Sequence, residues 1–159
     1  MEQKTKITAE VGQHDLFITR DFDLPVELLF KAHAEPELFE QWMSHEWGTT
    51  KMVEFEAHDH GSYKFETSDA QGKVMFMAHG TFHAFTPNEK IVRTFEMGEP
   101  FGVQLEFLVF EKLTDDTSRL TMQSIYKSPA LRDELLKLPF KQGLEMAHNR
   151  LQDIIQKLK

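Results

Sequence analysis

A strongly amphipathic segment at the C-terminal end of the chain sharply limits the folds that it can adopt. From Pro139 onward, apolar residues recur at three- and four-residue steps, and polar residues fill the positions between them. This spacing predicts one helix of about twenty residues, about 30 Å long, with a single apolar face. A face of that length has to be covered by another layer of the protein. Its apolar positions are Leu144, Ala147, Leu151, Ile154, Ile155 and Leu158.

The covering layer is predicted to be a sheet, because the chain from about residue 50 to residue 126 favours strands. Clusters rich in Gly, Asn, Asp and Pro interrupt this stretch at regular intervals and supply the dihedral angles that turns need. Connections this short join antiparallel neighbours, so the strands are expected to form a meander. The turn clusters lie at residues 58–61, 69–72, 87–89, 98–100 and 114–116.

The segment before the meander predicts one more strand and two short helices. Residues 15–22 alternate between apolar and polar side chains, which is the pattern of a strand. Pro25 and Pro36 then each favour a helix start, since the missing N–H of proline leaves no hydrogen bond unmade there. Residues 1–13 are expected to be a loose N-terminal arm.

Together these elements predict an α+β fold, in which a curved antiparallel sheet of about seven strands packs against helices on one face. A further helix is predicted to begin at Pro129, before the long C-terminal one. The length of 159 residues suits a single domain, placed at residues 14–159 after the arm. A long helix across a curved sheet does not fill the hollow with its own side chains, so a cavity is expected between them.

Four stretches of the sequence carry a family resemblance. They are DLFITRDFDLPVELLFKAHAEPELFEQW, then FEAHDHGSYKFET with DAQGK, then HGTFHAFTPNEKIVRTF, and finally the helix at residues 143–158. In this order they resemble the activator-of-Hsp90-ATPase homologue-like family within the START-like (SRPBCC, helix-grip) superfamily. The resemblance extends over residues 16–158, which is almost the whole chain.

The resemblance implies a sheet of seven strands that grips the C-terminal helix, with a ligand-sized tunnel between them. The sequence departs from the family pattern at Trp42-Met43, where two Trp are usual, and at Gly61-Ser62, where Gly-Gly is usual; both differences bear on the shape of the pocket mouth. Relatives include a domain that docks on a chaperone and stimulates its ATPase, lipid carriers, hormone receptors and polyketide cyclases. Because one fold carries many functions, the site has to be argued from its residues.

The candidate ligand site is the apolar lining of this cavity. Alternation along the predicted strands places apolar side chains on one face of the sheet, opposite those of the C-terminal helix. The hydroxyls of Tyr63 and Tyr126 are expected to orient a bound molecule. Two alternatives stay open: the same residues close on each other as a dry core, or Trp42 and Trp47 anchor a partner protein. The predicted cavity residues are Trp42, Tyr63, Phe65, Phe82, Leu105, Phe107, Met122, Tyr126, Leu144, Ala147, His148 and Leu151.

Polar residues embedded in apolar segments are further candidates for chemistry. Glu106 alternates with two apolar neighbours and is therefore expected to face solvent. His83 and Arg93 are expected to be cross-strand neighbours on the outer face of the sheet. His148 lies one position from the apolar stripe of the C-terminal helix, so it belongs either to the pocket edge or to the helix boundary.

His58 and His60 are the best candidates for a metal site, because two-residue spacing on a strand would place them on one face about 6–7 Å apart. A nearby carboxylate would have to supply the third ligand. The alternative is that both histidines lie in an exposed turn. His79 and His83 would span about 13 Å of strand, too far to chelate one ion together. No metal ion and no cofactor is predicted.

Charge and composition exclude several classes of function. The 18 Lys and Arg against 26 Asp and Glu give a net charge of −8, which repels nucleic acid. No apolar run exceeds five residues, which excludes a membrane-spanning helix, and no secretory signal is visible. The absence of Cys excludes thiolate chemistry and agrees with a cytoplasmic location. The oligomeric state stays open between monomer and homodimer.

Three functions are compatible with these observations. The first is binding of a small apolar or aromatic molecule in the cavity. The second is a co-chaperone-type interaction module, linked to the stress response, whose acidic surface meets a basic patch on a chaperone and stimulates its ATPase. The third is a cofactor-free cyclase or hydrolase that uses His83 or Glu106. Because the sequence has no nucleophile elbow, Walker loop or dinucleotide-binding loop, catalysis has no positive support and the first function is preferred.

Overall fold

An eight-stranded antiparallel sheet is the main layer of the protein, whose computed structural model describes residues 4–159. In chain order its strands are β1 (Lys6–Thr8), β2 (Asp15–Phe22), β3 (Thr49–Phe55), β4 (Ser62–Ser68), β5 (Val74–Thr86), β6 (Lys90–Glu96), β7 (Val103–Lys112) and β8 (Ser118–Ile125). Across the sheet they lie in the order β1-β2-β8-β7-β6-β5-β4-β3. Strands β3 to β8 form the predicted antiparallel meander, and β2 pairs with its last strand.

Four helices accompany the sheet: α1 (Val26–Ala34), α2 (Pro36–Met43), α3 (Pro129–Lys137) and α4 (Phe140–Ile155). The structure confirms the three predicted helix starts, because α1 follows Pro25 directly and α2 and α3 begin with proline. The hydroxyl of Ser128 adds a cap to α3 by accepting a hydrogen bond from the backbone N–H of Leu131 at 3.2 Å.

The C-terminal helix is shorter than predicted. Helix α4 has 16 residues, and a 3₁₀ turn over Gln156–Leu158 follows it. Leu158 is 47% exposed, so packing does not hold this last turn in the α conformation. Among residues 4–159, no helix combines the length and the apolarity that crossing a bilayer requires. The residues of α4 that are buried against the rest of the protein are Ala147, His148, Leu151 and Ile155.

Strand β1, the one beyond the seven that were predicted, lies inside the segment that was predicted to be a loose arm. It pairs with β2, and its central residue Ile7 lies opposite Ile18. Just before β1, Thr5 is 2% exposed and its hydroxyl lies 2.9 Å from Nδ1 of His148 on α4. The prediction of a loose arm is therefore wrong for this part. The strand was not visible in the sequence, because three residues are too few to show an alternating pattern. Residues 1–3 of the predicted arm lie outside the described residues.

The inner face of β7 is the opposite of the predicted one. Glu106 is 4% exposed and points inward with Leu108, while Leu105 and Phe107 lie on the outer side of the strand. Both alternating sets of β7 contain apolar residues, so the period of two did not decide between them. The pairing decides: register places Glu106 opposite Arg93 of β6.

A glycine in β5 leaves room for a contact between its two neighbouring strands. At Gly80 of β5, an added Cβ would collide with the carbonyl oxygen of Thr94 and the ring of Tyr63. The free space lets the Tyr63 hydroxyl reach across β5 and donate a hydrogen bond to that carbonyl at 2.6 Å. This hydrogen bond ties β4 to β6 across β5.

Candidate functional site

A cavity of about 280 Å³ lies between the inner face of the sheet and α4, and we call it the sheet–helix cavity. Its wall is mostly apolar and rich in aromatic rings. The apolar residues of the wall are Phe39, Trp42, Met43, Phe65, Phe76, Phe95, Met97, Leu108, Leu120, Met122, Leu135, Phe140 and Leu144. The polar residues are His33, Arg93, Gln104, Glu106, Ser124, Tyr126 and His148.

A buried ion pair lies in the sheet side of the wall. Nε of Arg93 donates a hydrogen bond to Oε1 of Glu106 at 2.8 Å, and the two side chains are 16% and 5% exposed. The second carboxylate oxygen accepts from the Gln104 amide at 2.8 Å and from the Ser124 hydroxyl at 3.5 Å. Glu106 therefore keeps its charge compensated on both oxygens, as a buried carboxylate must.

The guanidinium of Arg93 lies between aromatic rings. Its Cζ is 5.6 Å from the ring centroid of Tyr63 and 5.9 Å from that of Phe95, within reach of a cation–π interaction. Burial by itself would lower the pKa of Arg93, but the interactions with Glu106 and Tyr63 together outweigh burial and the pKa is raised. Arg93 is therefore a permanent cation in the cavity wall.

Tyr126 places a phenol hydroxyl in the same wall. The residue is 3% exposed, and burial raises the pKa of its hydroxyl above the usual range. The negative charge of Glu106 raises it further. Tyr126 is therefore protonated at neutral pH and can donate a hydrogen bond.

His33 of α1 is a neutral histidine in the wall. Its Nδ1 lies 2.9 Å from the carbonyl oxygen of Leu29, so this nitrogen carries the proton and donates it. Burial, with a smaller contribution from the charge of Arg93, lowers the pKa of His33 to about 4, although the hydrogen bond to Leu29 acts in the opposite direction. The ring also packs against Trp42 and Phe110, with ring centroids 5.2 Å apart in both cases.

His148 of α4 is also neutral. Burial lowers its pKa to about 3, with smaller contributions from His33 and Arg20. Its ring lies edge-on to Phe22, and Thr5 is its hydrogen-bond partner. Of the two positions considered for His148, the pocket edge is correct.

Of the twelve predicted cavity residues, half lie in the wall of the cavity. Those are Trp42, Phe65, Met122, Tyr126, Leu144 and His148. Four others are buried in the hydrophobic core, where they pack against other side chains and do not line the cavity: Tyr63, Phe82, Ala147 and Leu151. The last two, Leu105 and Phe107, lie on the outer side of β7 and are corrections to the predicted site.

Two predicted roles are also wrong. The Tyr63 hydroxyl is engaged by the Thr94 carbonyl and Tyr63 is not part of the cavity wall, so it does not orient a bound molecule there. Trp42 is 5% exposed and donates its indole N–H to the Ala32 carbonyl at 2.8 Å, so it does not anchor a partner. Trp47, by contrast, is 72% exposed.

Several wall residues were not identified from the sequence. Phe95 shares a face of β6 with Ile91, so alternation in the sequence marked it as inward, whereas Phe76 lies in an unbroken apolar run in which alternation gives no direction. His33 lies four residues after Leu29 on the buried face of α1, a spacing that also marks an inward position. Arg93 lies between Ile91 and Phe95 on the same face of β6, but a charged side chain there is expected to be buried only when a partner compensates it, and that partner, Glu106, lies on another strand.

The histidines considered for metal binding are on the surface. His58 is exposed, and its Nδ1 lies 2.9 Å from the carbonyl oxygen of Asp59. His60 is exposed in the same turn. Within residues 4–159, no group of three His, Cys, Asp or Glu side chains is arranged to hold a metal ion.

The two residues predicted as candidates for catalysis, His83 and Glu106, do not share a site. His83 is exposed at an irregularity in β5, whereas Glu106 is hydrogen-bonded inside the cavity. The expected outer-face pairing of His83 with Arg93 is wrong, because register places Arg93 opposite Phe82 and its side chain faces inward.

A second depression, of about 410 Å³, lies on the outer side of β4, β5 and β6. Its wall includes Lys64 and an exposed pair in which Nε2 of His79 lies 2.7 Å from a carboxylate oxygen of Glu96. Exposed charged side chains of this kind stay hydrated and offer little apolar surface. The sheet–helix cavity is therefore the better candidate site.

A sequence model of the family described as Activator of Hsp90 ATPase homolog 1-like protein matches residues 23–156. No curated protein sequence matches the chain.

Solved structures share the fold over nearly the whole chain. A crystal structure of a protein from Rhodobacter sphaeroides aligns with a TM-score of 0.86 and 18% identity, over 98% of this chain and 99% of that one. Protein Ms6760 from Mycobacterium smegmatis aligns with a TM-score of 0.82 and 16% identity, over 94% and 95% of the two chains. Identities this low show the common fold, with a long C-terminal helix against an antiparallel sheet.

Proposed function

The chain belongs to the Activator of Hsp90 ATPase homolog 1-like family, which has the helix-grip (START-like) fold, and we propose that it binds a small, predominantly apolar molecule in the sheet–helix cavity. The observation that carries this proposal is the cavity of about 280 Å³ with its aromatic wall and single buried ion pair. Protein cores normally fill to high density. An apolar volume left open beside fixed polar groups is the usual form of a small-molecule site.

The size of the cavity limits the ligand. Pockets for drug-sized molecules begin at about 300 Å³, and this cavity lies just below that. We therefore propose a ligand of one or two rings rather than a long lipid.

Native mass spectrometry of protein purified from its own host tests this function. We expect the wild-type protein to carry a non-covalent small-molecule adduct. Leu144→Trp places an indole in the cavity wall and is expected to remove most of the adduct, because the volume is filled. Met146→Trp is the matched control, since Met146 lies on the same helix and is 51% exposed; it should keep the adduct.

Extraction of the released molecule and its mass would identify the ligand class. Wild-type protein without any adduct under these conditions, or an adduct that Leu144→Trp retains in full, would contradict binding in the cavity.

A second candidate function is the co-chaperone-type interaction, and the exposed Trp47 is the observation that favours it. An indole that is 72% exposed is unusual on a surface without a partner and typical of an interaction hot spot. The net charge of −8 suits a basic partner surface.

Stimulation of ATP turnover by the host chaperone, measured at low and moderate salt, tests this candidate. If it holds, the wild-type protein raises the turnover, Trp47→Ala loses at least about tenfold in apparent affinity, and Leu144→Trp behaves like the wild type. No stimulation at either salt concentration would exclude this candidate.

A further inference from the structure

We propose that the sheet–helix cavity selects uncharged molecules that carry a hydrogen-bond acceptor, of which an aromatic ketone or aldehyde is the simplest case, and that Arg93 donates to this acceptor. The inference rests on the proposed function, since it names the class of ligand for the same cavity. Its basis is how the ion pair in the wall is hydrogen-bonded.

In this ion pair the acceptors of Glu106 are all engaged, whereas some donors of Arg93 are not. Both oxygens of Glu106 are occupied, by Arg93 on one side and by Gln104 and Ser124 on the other. Arg93 uses Nε for Glu106, whereas no hydrogen bond within residues 4–159 engages either of its Nη atoms. The wall therefore presents unused donors, and a carbonyl oxygen of a ligand satisfies them.

The net charge of the wall favours an uncharged ligand. Arg93 and Glu106 compensate each other, and among the described residues no Lys or further Arg lines the cavity. The two histidines of the wall, His33 and His148, are neutral because burial lowers the pKa of each well below 6.5. A ligand carboxylate beside Arg93 would be repelled by the nearby Glu106 carboxylate, and a ligand cation beside Glu106 would be repelled by Arg93.

The surroundings of Arg93 favour a flat ligand next to the acceptor. Phe95 lies beside the guanidinium, and Phe65 and Phe76 follow in the same wall. Their ring centroids are 6.2 Å (Phe65 to Phe95) and 6.0 Å (Phe65 to Phe76) apart. Aromatic rings at these distances pack edge-on or offset against another ring.

Three probes of the same shape separate these properties: 2-acetylnaphthalene, 2-isopropenylnaphthalene and 2-naphthoate. The first has a neutral acceptor, the second replaces the oxygen by a methylene group, and the third carries a negative charge. Dissociation constants are measured by titration of the ¹⁵N-labelled full chain. The indole N–H signal of Trp42 reports on the cavity wall, and that of the exposed Trp47 is an internal control.

We expect 2-acetylnaphthalene to bind about tenfold or more tightly than either of the other two probes, because hydrogen bonds to charged groups discriminate by that much. Glu106→Gln removes the compensating charge and is expected to improve binding of 2-naphthoate by about tenfold. The double variant Arg93→Met, Glu106→Leu removes both charges, and it should bind the ketone and the hydrocarbon equally well.

The control is the outer ion pair, where Nε of Arg119 donates to Asp21 at 2.6 Å. Arg119→Met combined with Asp21→Asn changes the same kinds of charge outside the cavity and should leave all three affinities unchanged. The double variant in the cavity keeps the test valid if Glu106→Gln alone does not fold.

The outcomes separate the two proposals. If none of the probes shifts the Trp42 signal, the proposed binding function fails. If all three bind with affinities within about twofold of each other, or the hydrocarbon binds best, binding stands and the inferred role of Arg93 is overturned.

Discussion

Replacement of Glu106 with leucine is expected to lower the free energy of unfolding by about 3 kcal/mol or more, because it leaves a buried guanidinium without its carboxylate. Arg93 is only 16% exposed, and among residues 4–159 its side chain hydrogen-bonds to Glu106 alone. Urea denaturation monitored by circular dichroism measures the loss. The double variant Arg93→Met, Glu106→Leu is expected to recover most of the stability, since it removes both charges and replaces them with apolar volume.

The outer pair of Asp21 and Arg119 supplies the matched control. Its side chains are 33% and 39% exposed, and solvent screens their attraction. Asp21→Leu is therefore expected to change the free energy of unfolding by less than about 1 kcal/mol. Two results would contradict this explanation: equal losses of unfolding free energy for Glu106→Leu and Asp21→Leu, or no recovery of stability in the double variant. Either would show that burial of the charges does not cause the loss of stability in Glu106→Leu.

Acidification from pH 7 to pH 5 is expected to destabilise the protein by about 4 kcal/mol, with about half from each of His33 and His148. Burial lowers the pKa of these two side chains to about 4 and about 3, whereas in the unfolded chain both titrate near 6.5. Between these values the unfolded state binds protons that the folded state excludes. Stability is therefore fully present above pH 6.5 and is lost as the pH falls toward 4 and 3.

Urea denaturation at several pH values between 5 and 7 measures this slope. His33→Leu and His148→Leu are each expected to remove about half of the pH dependence, whatever they do to the stability at pH 7. His58→Gln is the control, because His58 is exposed and should leave the slope unchanged. A slope that survives in the double variant of His33 and His148 would mean that other groups cause the acid sensitivity.

The elements of the fold were largely predictable from the sequence, and the exceptions are informative. Helix starts at Pro25, Pro36 and Pro129 depend on local chemistry, so they were visible without the rest of the chain. The strand at Lys6–Thr8 was missed because its three residues carry no periodic pattern, and only pairing with β2 creates it.

The candidate site was predictable only in part. Phe65, Met122 and Leu144 were found because their strands and helix have one clearly apolar face. On β7 both faces carry apolar residues, and alternation with Leu105 and Phe107 led to the prediction that Glu106 faces solvent. That prediction was wrong because the energy of an inward carboxylate depends on Arg93, a residue of another strand.

The order of the elements, the antiparallel meander and the apolar face of α4 could be read from the sequence, because they follow from periodicity and turn chemistry within short stretches. Which face of β7 lies inward, and where apolar side chains close as a dry core or leave a cavity, became visible in the folded protein alone. Those features depend on register and on contacts between distant residues, such as Glu106 with Arg93 and Thr5 with His148. A side chain alone in the sequence does not carry that information, because whether it is buried and compensated is a property of its partners.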